Sequence, residues 1–202
     1  MRRVTIFDYG AGNLHSLAKA LAEPGIEVCV EPDPTRAAET NVLVLPGVGS
    51  FAQAAGRLAP GRDAIRDAML HGALPTLGVC LGMQLFFNES EEGPGNGLGI
   101  IPGRVTRLAA RRVPQIGWNT LEDTRDSIFD AAPMSVAYYA NSFACRPITD
   151  DTVIAWSRHE GDCFAAAVRT GAKGNIVGVQ FHPEKSSGAG VRFIRAFLKE
   201  SA

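Results

Sequence analysis

No apolar run in this sequence approaches the ~20 residues that a membrane-spanning helix needs. Its opening, Met1-Arg2-Arg3-Val4-Thr5-Ile6-Phe7-Asp8, reaches an acid after only a short apolar stretch. A secretory leader would hold roughly 7–15 apolar residues there, so Val4–Phe7 reads as a first strand. Cysteine is scarce: Cys29, Cys80, Cys145 and Cys163 show no CxxC spacing. They are too few for a disulfide scaffold and point to a reducing, cytoplasmic setting. The 4 histidines have no paired Cys/His spacing, so neither a structural zinc site nor any other metal or cofactor is expected. Charge is nearly balanced, with a net of -1. That offers no attraction to nucleic acid or to an anionic membrane. No GxxxxGK[ST] phosphate loop occurs, and Gly10-Ala11-Gly12 is not a dinucleotide fingerprint, because His15 stands where the third glycine would fall.

What is present suits a soluble globular chain: 202 residues, 46% hydrophobic and 20% charged. A chain of that length forms a single domain comfortably and buries roughly 70 % of its unfolded surface. Short β-rich runs alternate with helical spacing in the first half, as βαβ units do. Val4–Phe7, Glu27–Val30, the wholly apolar Val42–Leu45 and Leu77–Val79 read as strands; 13–22 and 62–71 read as helices. Beyond about residue 100, strand-like runs at 104–108, 136–140, 153–157, 164–169 and 176–180 follow with little helix between them. They predict antiparallel additions at one side of the sheet, closed by a helix over 191–198. The fold expected is a single α/β domain over 1–202, with a mainly parallel, mixed sheet flanked by helices on both faces. Glu89–Gly99, acidic and glycine-rich, reads either as a solvated loop or as the border of an active site.

Chemistry concentrates in a few segments. Gly78-Val79-Cys80-Leu81-Gly82 sets a cysteine between glycines after an apolar strand, the pattern of a nucleophile elbow with Cys for Ser. Such a turn has no room for side chains on both flanks. It lifts the sulfur to the carboxyl edge of a sheet, with backbone N–H groups and a helix N-terminus beside it. A thiol nucleophile needs a base and the base an orienting group. Gln180-Phe181-His182-Pro183-Glu184 supplies both just past another apolar strand, with His182 expected where that strand end meets solvent. His15 and His71 fall in helical stretches and His159 in a charged loop. Leu45-Pro46-Gly47-Val48-Gly49-Ser50 places two glycines after a buried strand. They serve either the close approach of a ligand to the backbone or simply a tight strand-to-helix turn.

Taken together, DYGAGNLHS, LPGVGSF, GVCLGMQLFF, ESEEGPGNGLG, PQIGWN and VGVQFHPEKS cover the chain nearly end to end. In them the chain resembles the class I glutamine amidotransferases, which have a flavodoxin-like core. Within these it is similar to the glutaminase subunits of imidazole glycerol phosphate synthase, of histidine biosynthesis. The resemblance implies hydrolysis of L-glutamine by a Cys80–His182–Glu184 triad through a thioester. It implies an oxyanion hole from the N–H of Leu81 and one in the Pro46–Gly49 loop, at Val48 or Gly49. Gly47, Gln84, Glu92, Tyr138 and Ser142 would bind glutamine. Asn13 and Trp118 would face a separate (β/α)₈-barrel cyclase subunit that receives the ammonia in a heterodimer. The resemblance further implies that the subunit alone is nearly inactive. Two positions depart from the family: Gln115 and Asn141 stand where many members carry histidine. The alternatives are a glutaminase serving another synthase, such as a sugar amidotransferase, a silent scaffold subunit, and a cysteine hydrolase of peptides or esters.

Overall fold

The computed structural model describes residues 1–202. Its first half is β1 (Arg2–Phe7), α1 (His15–Leu21), β2 (Ile26–Glu31), α2 (Pro34–Ala37), β3 (Val42–Leu45), α3 (Phe51–Leu58), α4 (Arg62–Leu70), β4 (Thr76–Val79) and α5 (Leu81–Gln84). The second half is β5 (Gly103–Arg107), β6 (Gln115–Thr120), α6 (Ser127–Ala131), β7 (Val136–Asn141), β8 (Phe143–Pro147), β9 (Val153–His159), β10 (Asp162–Thr170), β11 (Ile176–Val179) and α7 (Ser187–Glu200).

Seven strands form the main sheet in the order β2-β1-β3-β4-β11-β10-β9. The first five are parallel, and β10 and β9 add antiparallel at one edge. The antiparallel additions fall on one side, as expected, but not all late strands join them. β5 pairs with β8 and β6 with β7, each as a separate two-stranded ribbon. His159 ends β9 rather than sitting in a loop.

Strand alternation divides the interior into two cores. Val42 and Val44 of β3 face one, with Val4, Leu17, Leu77, Phe193 and Phe197. Leu43 and Leu45 face the other, with Phe51, Leu58, Ile65 and Met69. Helices α1, α6 and α7 cover the first face, and α2, α3, α4 and α5 the second. This is why β3 is apolar at every position: each side chain, fully buried, contributes roughly 1.5–3 kcal/mol. Parallel strands covered on both sides read as continuous apolar runs.

The sheet also places the site. β4 and β11 are neighbours in parallel register, with Gly78 opposite Gly178 and Val79 opposite Val179. Both therefore end at the same carboxyl edge, and the next residues of each emerge side by side. At such edges α/β sheets bind ligands.

Candidate active site

Cys80 follows β4 directly. Its N–H donates to Val179 O at 2.6 Å, and its backbone lies at φ 48, ψ -104, a conformation that costs a non-glycine residue about 1–3 kcal/mol. The flanking glycines permit it. A Cβ on Gly78 would meet Gly82 O at 2.8 Å and the Phe86 ring at 2.7 Å, and one on Gly82 would lie 2.0 Å from Leu45 O. The turn after Cys80 is thus pressed directly onto the end of β3. The helix that follows is shorter than the elbow pattern suggests: α5 is one turn, Leu81–Gln84. Its dipole is correspondingly small, which leaves individual N–H groups as the electrostatic resource.

His182 follows β11, and here the structure corrects the sequence reading. The side chain does not meet solvent; His182 is 3% exposed. Its cover comes from β7, whose Tyr138 O accepts the His182 N–H at 2.8 Å. Ser186 Oγ donates to His182 O at 2.7 Å and accepts from Tyr138 N at 2.9 Å, locking the two segments together. The 3₁₀ turn Pro183–Lys185 carries Glu184 back under the ring, where Oε1 lies 2.8 Å from His182 Nδ1. Burial disfavours a charged imidazole, but the Cys80 sulfur and then Glu184 outweigh it and raise His182 to about 10. Sulfur, imidazole and carboxylate thus stand in the order of nucleophile, base and orienting group.

The Leu45–Ser50 loop closes over this pair. A Cβ on Gly47 would sit 2.9 Å from both Cys80 Cβ and His182 Cε1, so the backbone there touches nucleophile and base together. Gly49 has φ +93, which favours glycine. No hydrogen bond within the chain uses the N–H of Gly47, Val48, Gly49 or Leu81, which leaves these donors free for a ligand. The Val48 side chain points away, packed over Gly12, where a Cβ would lie 2.5 Å from Val48 Cβ.

A cavity of about 190 Å³ opens beside the sulfur, and Gly47, Gly49, Cys80, Gln84, Glu92 and Ser142 are among its lining residues. Glu92 Oε2 accepts from Phe51 N at the start of α3, at 2.8 Å. Glu89–Gly99 is therefore a border of the site as well as a loop. Gln84 Nε2 donates to Phe143 O at 3.1 Å. Tyr138, expected to bind glutamine, is not in the cavity wall; its ring packs edge-on against Trp118, centroids 6.2 Å apart. Alternation along β7 turns it to the outer face. Trp118 is 55% exposed and flanked by the exposed Ile116 and Val136. Asn13 is exposed, its Oδ1 accepting from His15 N. Asn141 lines the cavity, while Gln115, its cross-strand partner, lies buried with both amide atoms unpaired. Larger concavities, of about 420 Å³ beside Arg169 and about 530 Å³ beside Arg3, contain no nucleophile–base pair.

The residue that sequence reasoning passed over is Gln180, fully buried, whose Nε2 lies 3.4 Å from Cys80 Sγ. A glutamine ending an apolar strand two residues before the histidine was the available signal. No group of three or more His, Cys, Asp or Glu side chains is placed to hold a metal ion, and no helix is long and apolar enough to cross a membrane.

A strained cysteine elbow, a buried His–Glu pair and a glycine loop on a parallel sheet agree with what similarity shows: the chain belongs to the class I glutamine amidotransferases, whose family profile, "Glutamine amidotransferase class-I", matches residues 5–201. Among its relatives are the imidazole glycerol phosphate synthase subunits HisH. That of Symbiobacterium thermophilum is 44% identical over 200 residues, covering 96% of this chain and 92% of the relative. That of Leifsonia xyli is 41% identical over 208 residues, covering 98% of each. The PurLQS structure from Thermotoga maritima superposes with a TM-score of 0.75 at 19% identity, over 99% of both chains, which concerns the fold alone.

Proposed function

We propose that this chain is the glutaminase subunit of an imidazole glycerol phosphate synthase, with Cys80, His182 and Glu184 as its catalytic residues. The observation that carries the reading is the 2.8 Å contact between His182 Nδ1 and Glu184 Oε1, buried beside a cysteine held at φ 48 on the cavity.

The Cys80 thiolate attacks the side-chain amide carbon of L-glutamine, and the carbonyl oxygen becomes an oxyanion. The N–H of Leu81 and an N–H of the Gly47–Gly49 segment are the donors within reach of that edge. His182, as imidazolium, gives its proton to the amide nitrogen as the C–N bond breaks, so ammonia leaves and a thioester remains. Neutral His182 then takes a proton from water, whose oxygen attacks the thioester. Collapse of the second tetrahedral adduct releases glutamate and returns the thiolate. Glu184 holds the imidazole tautomer and its developing charge throughout. Glu92 faces the cavity with one oxygen already held by Phe51 N. It suits the ammonium of an amino-acid substrate, with Gln84 and Ser142 as neutral partners.

The relatives are named as subunits, which implies a partner subunit. We take that partner to be a (β/α)₈-barrel cyclase that receives the ammonia before water can protonate it, within a cytoplasmic heterodimer. The exposed Trp118, Ile116 and Val136 supply an apolar face suited to docking. Glutamate release with and without the cyclase and its nucleotide substrate tests the reading. Strong stimulation, with imidazole glycerol phosphate formed alongside, supports it. Turnover indifferent to the cyclase would keep the glutaminase and discard this partner.

A further inference from the structure

Buried polar atoms next to Cys80 form a chain with only one consistent orientation. Phe143 O is a backbone carbonyl and can only accept, so the end of Gln84 that faces it at 3.1 Å is the NH₂ group. That same NH₂ lies 3.3 Å from one end of the Gln180 amide. An NH₂ only donates, so the end of Gln180 facing it must be the carbonyl oxygen. The opposite end of Gln180 is then NH₂, and it lies 3.4 Å from Cys80 Sγ. One fixed carbonyl thus dictates, through two side-chain amides, that Gln180 turns a donor rather than an acceptor to the sulfur, which also has the Ala140 carbonyl 4.0 Å away. Phe143 O is itself pinned by a second donor, Asn141 Nδ2 at 3.0 Å. Gln180 is fixed from behind, its own N–H bonded to Ala166 O of β10 at 2.8 Å. Gln180 is fully buried and Gln84 nearly so, and the Gln84–Gln180 and Gln180–Cys80 contacts are themselves buried.

We propose that Gln180 is a positioning residue for the glutaminase reaction: oriented by Gln84 and Phe143 O, it donates to Cys80 Sγ, favouring the thiolate and fixing where the sulfur points. This inference rests on the reading of Cys80 as nucleophile and adds a second donor to the one that His182 provides. It also gives Gln84 a role besides lining the cavity, since a Gln84 side chain pulled toward a bound substrate would release the Gln180 amide. An acceptor turned to the sulfur would repel the thiolate, so the orientation matters as much as the contact.

The test is the rate of Cys80 alkylation by iodoacetamide between pH 5 and 10. It is followed on the Cys80 peptide by mass spectrometry in the purified full chain, so that the other three cysteines do not contribute. In Gln180→Met, of similar shape but without a donor, alkylation at pH 6 is expected to slow about tenfold, in line with losing a hydrogen bond to a charged acceptor. At pH 10, where the thiol ionises without help, the rates converge. Gln180→Glu, which presents only acceptors, is expected to slow the reaction at least as much. Should the Gln180 variants not fold by circular dichroism, Gln84→Leu decides: it frees the amide to rotate and is expected to slow alkylation at pH 6 in the same direction, by a smaller factor. A purely structural glutamine would leave the pH profile of the folded variants superimposable on wild type, and that result overturns the proposal. A wild-type Cys80 unreactive at pH 6 would instead overturn the nucleophile assignment itself, and this inference with it.

Discussion

Gly47→Ala is the smallest change that separates the geometry of the site from its composition. Gly47 does not have a positive φ, so alanine meets no backbone penalty there. What it meets is steric: its methyl would lie 2.9 Å from Cys80 Cβ, 2.9 Å from His182 Cε1 and 3.0 Å from Val79 O. Carbon atoms in good contact sit about 3.5–4.0 Å apart, so each carbon contact is short by roughly 0.6–1.1 Å. Backing away from one neighbour does not clear the other two. The separation between nucleophile and base must therefore open by about an ångström, or the loop carrying the free N–H groups must lift. A misplacement of that size costs about 10²-fold in rate, while overpacking costs about 1–3 kcal/mol in stability. The assay is glutamate release by the reconstituted complex at saturating glutamine, with urea unfolding in parallel. Gly56→Ala is the control: it lies exposed within α3, where a Cβ would meet nothing within 4 Å. That change is expected to leave turnover alone and to stabilise by about 0.5–1 kcal/mol. A Gly47→Ala enzyme within threefold of wild type would refute the claim that this backbone sets the spacing of Cys80 and His182.

At position 80, glycine is expected to be more stable than alanine by about 1–2 kcal/mol, the reverse of the usual order, because φ 48 with ψ -104 suits glycine alone. Equal urea midpoints for Cys80→Gly and Cys80→Ala would remove the strain. For His182, a folded-state value of about 10 exceeds the unfolded value of about 6.5. Its charge thus stabilises the fold fully below pH ~6.5, and that contribution is lost as pH rises through about 10. Imidazole NMR is expected to show His182 still protonated at pH 8 and titrating lower in Cys80→Ala; a neutral ring at pH 7.5 in wild type would contradict this. Trp118→Ala is expected to weaken cyclase binding by at least about 2 kcal/mol, or roughly 30-fold in Kd, as for a central aromatic anchor. An unchanged Kd by calorimetry would take this face out of the contact.

The sheet strands and the two site segments were legible because each carries its signal locally. Val42–Leu45 is apolar at every position, and the glycines around Cys80 and the Pro183–Glu184 sequence beside His182 mark their turns. β6 and β8 were not legible, since QIGWNT and FACRP are short ribbon strands without clear alternation. Helix α3 escaped although its buried residues, Phe51, Ala54, Ala55 and Leu58, keep helical spacing, because the two alanines at its centre mark an apolar face only weakly. The burial of His182 was invisible for a different reason: the cover is Tyr138, on a strand far away in sequence. Nor does a single position such as Tyr138 declare which face of its strand it takes until the partner ribbon is known. The Gln84–Gln180–Cys80 chain needs the β4–β11 neighbourhood, and no local pattern encodes it.

That neighbourhood has a consequence for the life of the chain. β11 lies between β4 and β10, so until residues 176–179 arrive the main sheet is two pieces, β2-β1-β3-β4 and β10-β9, with no strand pairing between them. During synthesis the thiol of Cys80 emerges about a hundred residues ahead of His182 and Glu184. The strand that unites the sheet also delivers the base. A truncated or still-growing chain thus holds an idle thiol, and competence to release ammonia comes only with the last strand of the fold.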